Sequence, residues 1–209
     1  MTLQKPVRLL MEYARPEILT THRPDSCIAS TAVGIRVLER FGIGAWPVPV
    51  HAVAMNAQYV AMMNEVATNK EENPDAEMPE EAQRQWMERG AWSVELSNLP
   101  SRADGFDGGH LVIGIKDHLV DLSIDQASRP HKGIPLEPLA IDCPQSFYEG
   151  ERIWRHVGTA ILVYRHAPFT GFLEQLMFSG DWTNKDGRLD NHIRRTEAKI
   201  RTHLQRRKR

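Results

Sequence analysis

Three residues in this chain carry types that act together in chemistry: Cys27 in "RPDSCIAS", His110 in "DGGHLVIGI" and Asp121 in "HLVDLSIDQ". A thiolate attacks a carbonyl carbon. An imidazole takes the thiol proton and later hands it to the leaving group. A carboxylate holds the imidazole in the tautomer that can do this. The set therefore poses a positional question: whether the chain brings a thiol, an imidazole and a carboxylate to one place.

The stretch from His110 to Ile124 reads as a β-hairpin, two valine- and isoleucine-rich runs around Lys116–Asp117. With a two-residue turn, Ile115 faces His118, Val112 faces Asp121 and His110 faces Ser123. Side chains alternate sides along a strand, so His110 and Asp121 then share a face as diagonal neighbours. A three-residue turn would separate them. Asp125 has the same parity as Asp121 and is the reserve carboxylate. Cys27 falls in the first turn of a helix over residues 26–41, capped by Asp25 or Ser26 and stopped by Gly42. There the unpaired N–H groups and the positive end of the dipole lower a thiol pKa, and the same N–H groups can receive an oxyanion.

Each residue also has a plainer reading. A lone cysteine in an apolar helix is ordinarily a small core residue, and only the histidine and aspartate raise Cys27 above that. A carboxylate inside "LVDLSI" needs a partner, which favours a specific role for Asp121. Gly109, with Gly108, would let a substrate backbone approach His110, and residues 97–109 would form the rim. Gln126 and Trp92 are further candidates for lining the site, although Trp92 fits a core better. Asp125 and Gln126 suit capping and turn roles better than catalysis, though Gln126 could line the site, and His51 reads as a satisfied strand histidine. The nine histidines and two cysteines show no HExxH or CxxC spacing, so no metal and no cofactor are expected.

The chain has 209 residues, of which 41% are hydrophobic, enough for one core. We expect a single domain over 1–209, with its core in about 20–165, an acidic insert at 69–80 and a basic amphipathic helix at 188–209. A net charge of −1 argues against bulk nucleic-acid binding. The basic last helix reads as a solvated face, with weak nucleic-acid contact as the second reading. Two cysteines form no disulfide framework and fit a reducing, cytoplasmic setting. No run approaches the length of a membrane span, so no membrane association is expected. Helices are expected at 6–14, 57–68, 79–90 and from 187 onward, and a loop at 15–26. Strands are expected at 45–55, 91–96, 110–115, 118–124 and 158–166. Pro47 and Pro49 mark the start of the first strand as edge-like. Strands that do not alternate regularly with helices indicate an α+β fold.

The pieces "DSCIASTAVGIRVLERFGIGAWPV", "GGHLVIGI" and "HLVDLSIDQ", in this order, resemble the transglutaminase-like branch of the papain-like cysteine enzymes. "LVD" after a histidine-led strand is also similar to the arylamine N-acetyltransferases of the same fold. The likeness covers roughly residues 20–130. It implies a buried nucleophile helix packed on an antiparallel sheet, with Cys27 as nucleophile, His110 as base and Asp121 as orienting carboxylate. It further implies acyl transfer from an amide or thioester of a small molecule or peptide; we place hydrolysis ahead of transfer to an amine, with an acyltransferase of the arylamine N-acetyltransferase type as the alternative within enzymes. A non-catalytic interaction protein on the same fold is the alternative of a different class.

Overall fold

A computed structural model describes residues 3–22, 26–72, 78–96, 110–129, 134–167 and 187–206. Helices α1 (Lys5–Ile18) and α2 (Cys27–Glu39) lead into strand β1 (Trp46–Met55). Helices α3 (Ala57–Glu72) and α4 (Glu80–Glu88) follow, then β2 (Ser93–Glu95) and the hairpin β3 (His110–Ile115) and β4 (His118–Asp121). Strands β5 (Leu139–Asp142), β6 (Arg152–Val157) and β7 (Ala160–His166) complete the sheet, and α5 (Arg188–Arg206) comes last. The strands pair antiparallel in the order β5-β4-β3-β1-β7-β6, with β2 also on β1. The fold is α+β.

Alternation along the strands splits the apolar residues between two faces. On one face Val48, Val50, Ala52, Val112, Leu119, Leu162 and Tyr164 pack with Trp92, Ile141 and Phe147. On the other, Ile113, Ile115, Val120 and Leu122 meet α1, α2 and α5. Helix α2 lies so close to the sheet that a β-carbon at Gly34 would run into Ile113 and Leu122. Glycine there is a packing requirement, and α2 is fixed in position along β3 as a result. Helix α5 buries Ile193 and Ile200 against α1 and α2.

Several boundaries differ from those expected. Helix α1 runs through Pro16 to Ile18, into the stretch read as loop. Burial of Arg15 and Ile18 outweighs the amide hydrogen that proline lacks. Strand β1 is central in the sheet, and only its start, before Val50, has the edge character its prolines imply. Its pairing to β7 begins only at Val50, and Pro49 offers its carbonyl on that side to Ala167. The amide hydrogens that Pro47 and Pro49 lack would point where no ladder has begun. The first residues of the acidic insert belong to α3, which extends to Glu72; residues 73–77 lie outside the described residues. Strands β5 and β6 carry no clear sequence signal. One is four residues long beside prolines, and "RIWRHV" has charged groups on both sides of its alternation.

Candidate active site

The hairpin turn has two residues, the length that sets His110 and Asp121 on one face. Lys116 adopts a φ of 48°, and Ile115 pairs with His118, Gly114 with Leu119 and Ile113 with Val120. A left-handed first residue is the geometry that lets a two-residue turn follow the strand twist. This register puts His110 and Asp121 on one face. His110 Nε2 lies 2.8 Å from Asp121 Oδ2, with both residues 1% exposed. Since a carboxylate only accepts, Nε2 carries the hydrogen, and Nδ1 is the nitrogen left for a second partner.

That partner is the Cys27 thiol. Thr31, one turn into α2, donates its hydroxyl to the Leu111 carbonyl at 2.8 Å and so docks the helix start on the start of β3. Cys27 itself is half-buried. Burial opposes its ionisation, but a hydrogen bond with His110, the charge of His110 and the Leu111 backbone amide outweigh it. The thiol pKa lies below its ordinary value, and Asp121 offsets only part of that shift. For His110, burial disfavours the imidazolium, yet the charge and hydrogen bond of Asp121 and then Cys27 raise its pKa to about 10. The arrangement favours a thiolate beside an imidazolium.

Asp121 is held from several directions. Its Oδ1 accepts the Ser123 backbone amide at 2.9 Å, and its Oδ2 accepts the Tyr164 hydroxyl at 3.0 Å as well as His110. Burial penalises the carboxylate, but the His110 charge and these hydrogen bonds bring its pKa below the usual range. Tyr164 is fully buried. Burial and the Asp121 charge push its phenol pKa well up, so it remains a donor. Sequence reasoning placed Tyr164 in a strand and gave it no role. The available signal was a tyrosine within the apolar run "AILVY", whose hydroxyl needs a partner once buried.

The other expected residues fall elsewhere. Strand β4 ends at Asp121, and the chain turns into a 3-10 segment at Ile124–Ala127. Strand parity therefore does not carry on to Asp125, and its reserve role is overturned. Its carboxylate takes the Arg15 Nε at 2.9 and 3.0 Å, and Arg15 also donates to Ser26 Oγ and Ser30 Oγ. Ser26 occupies the N-cap position of α2, but its hydroxyl serves Arg15 and not the helix end. Trp92 lies in the core, 5% exposed, with its amide on Asn56 Oδ1, which agrees with the core reading and not with its place as a lining candidate. Gln126 is half-buried, and its Nε2 has no hydrogen-bond partner. Gly109, Asp25 and the rim at 97–109 lie outside the described residues.

Among the described residues no group of three or more His, Cys, Asp or Glu side chains converges as a metal site. No described helix is long and apolar enough to cross a membrane. Comparison with models of protein families, with curated proteins and with solved structures gave no match.

Proposed function

We propose that this protein is a cysteine-dependent acyl-transfer enzyme that hydrolyses an amide or thioester through Cys27, His110 and Asp121. The observation that carries the reading is the continuous hydrogen-bonded chain from the half-buried Cys27 thiol through buried His110 to a carboxylate that Tyr164 and Ser123 also hold. A structural role for Cys27 would not need a buried imidazole beside it, charged and compensated.

In the first step the Cys27 thiolate attacks the carbonyl carbon, and the carbonyl π electrons move onto oxygen. The N–H groups at the start of α2 point outward along the helix axis, which makes them the natural donors to that oxyanion. Collapse breaks the bond to the leaving group, which takes the Nδ1 proton of His110, and leaves an acyl thioester on Cys27. Neutral His110 then accepts a proton from water as the water oxygen attacks the thioester carbon. The carbon–sulfur bond breaks, the acid departs and the thiolate–imidazolium pair is restored. Water is the acceptor that requires no second binding site, which places hydrolysis ahead of transfer to an amine. The order of the nucleophile helix and of the two antiparallel strands supports the transglutaminase-like variant of the papain-like fold as its framework.

The test is intact-mass analysis of the protein after incubation with a panel of acyl thioesters and activated amides, followed by peptide mapping. An acyl adduct on Cys27, absent from Cys27→Ser and slowed by His110→Ala, is the expected result. The reading fails if no panel member forms an adduct and iodoacetamide labels Cys27 and Cys143 equally, unaffected by His110→Ala.

A further inference from the structure

On the helix-bearing side of the sheet, α1, α2 and α5 pack over β3 and β4, whereas residues of β1, β6 and β7 outline an open groove. The sheet register sets its walls in rows. His51 stands opposite Arg165, which stands opposite Arg152, giving three basic side chains across three strands. In the next row Val53 pairs with Val163 and Glu95, and Val163 pairs with Trp154. Met55 continues the apolar floor. The cavity they line holds about 220 Å³.

Two features of this groove have no structural explanation. Guanidinium groups placed directly opposite on neighbouring strands repel, and among the described residues neither Arg152 nor Arg165 has a carboxylate in ion-pair contact. Beside them Trp154 is 53% exposed, a large aromatic surface facing water in line with Val163 and Val53. A pair of forked donors with an adjoining apolar strip matches an oxyanion attached to a short apolar body. The volume falls below that of a pocket for a drug-sized molecule, which restricts the body to a few carbon atoms or one ring.

The geometry points to a binding site for a small organic anion, its carboxylate or phosphate group held by Arg152 and Arg165 and its apolar body lying over Val163 and Val53 against Trp154. Glu95, at the far end of the apolar row, sets the polarity of the ligand by repelling the anionic group toward the arginines. His51 adjoins the anion position, and its Nδ1 is buried without a partner. Burial and then the Arg165 charge hold its pKa below the ordinary value, with Glu95 acting weakly the other way. A bound anion beside it reverses the Arg165 contribution, so His51 reports occupancy.

The experiment follows the His51 ring resonances by NMR across pH at constant ionic strength. The probes are acetate and hexanoate in one arm and inorganic phosphate and phenyl phosphate in the other. Hexanoate or phenyl phosphate should raise the His51 pKa and bind at least tenfold more tightly than acetate or inorganic phosphate. The arm with the stronger effect identifies the anionic group. Arg165→Ala or Arg152→Ala should weaken binding by about tenfold or more, the loss expected for one charge-assisted contact. Trp154→Ala should erase the advantage of the apolar body. All three positions are on strand surfaces, and Arg165→Lys keeps the charge as a check on folding. Binding by Cys27→Ser should equal that of the wild type, so this result stands whether or not Cys27 is catalytic. Equal weak effects of all four probes, unchanged in the arginine variants, would overturn the proposal.

Discussion

Replacing Asp121 with asparagine keeps the shape of the side chain and reverses part of its hydrogen bonding. The carboxylate receives donors on both oxygens: the Ser123 amide on Oδ1, and His110 Nε2 and the Tyr164 hydroxyl on Oδ2. An asparagine that keeps its oxygen toward Ser123 turns its NH2 group toward His110 and Tyr164. The imidazole then satisfies that NH2 best by accepting at Nε2, which moves the ring hydrogen to Nδ1 and leaves nothing to take the thiol proton. Flipping the amide instead sets two donors against each other at Ser123. Either way the imidazolium loses its buried counter-charge and the Cys27 thiolate loses its partner. An ordinary thiol with a pKa of about 8.5 is only about 1% ionised at pH 6.5. The intrinsic nucleophilicity lost on lowering a thiol pKa takes back part of the advantage. We expect iodoacetamide to label Cys27 in Asp121→Asn about ten to a hundred times more slowly than in wild type at pH 6.5, about 1.4–2.7 kcal/mol. The two proteins should converge near pH 9.5. Cys143, buried and with burial raising its thiol pKa, serves as the internal slow control. With circular dichroism showing both proteins folded, equal rates at pH 6.5 would refute the linkage from Asp121 through His110 to Cys27.

Other substitutions test neighbouring parts of the argument. Tyr164→Phe removes one donor and leaves His110 and Ser123 on the carboxylate. A hydrogen bond to a buried charge is worth about 1.5–3 kcal/mol, so thermal denaturation should show a fall of several degrees while Cys27 labelling slows less than tenfold. Asp125→Asn removes the carboxylate that accepts from the buried Arg15 Nε, and the expected loss is about 1.5–3 kcal/mol, the worth of a hydrogen bond to a charged group, read by urea denaturation. Its labelling rate in the folded protein should fall less than that of Asp121→Asn, because Asp125 holds the helix start through Arg15 and does not touch the imidazole. The Cys27 thiol has a lowered folded pKa, so it contributes stability above its unfolded pKa and loses it as pH falls through the folded value. His110, raised to about 10, contributes fully below its unfolded value and loses stability as pH rises toward 10. Wild-type stability should therefore gain on Cys27→Ser as pH climbs from below the folded thiol pKa toward about 8.5. Denaturant titrations at several pH values showing a constant difference would contradict a depressed thiol pKa.

What the sequence showed about this site depended on how locally each contact is made. His110 and Asp121 are separated by 11 residues within one hairpin, so turn length and alternation alone set their approach. Tyr164 reaches the same carboxylate from 43 residues away on a strand two places along the sheet from β3, with β1 between them. No periodicity in "AILVYRH" carries that information; it requires the strand order, which the chain reveals only on folding. The error over Asp125 has the same origin. Parity is a property of a continuous strand, and β4 stops at Asp121, where the carboxylate turns inward to His110, Tyr164 and Ser123 and the chain leaves the ladder. Past that point Asp125 is free to face another element, and it meets Arg15 from 110 residues earlier. Arg15 in turn holds Ser26, the residue before Cys27. The carboxylate held in reserve for the histidine thus acts on the other side of the site, fixing through α1 the end of the helix that carries the thiol. Asp121 orients the imidazole and Asp125 anchors the helix start, and two carboxylates four residues apart divide the positioning of the pair between them.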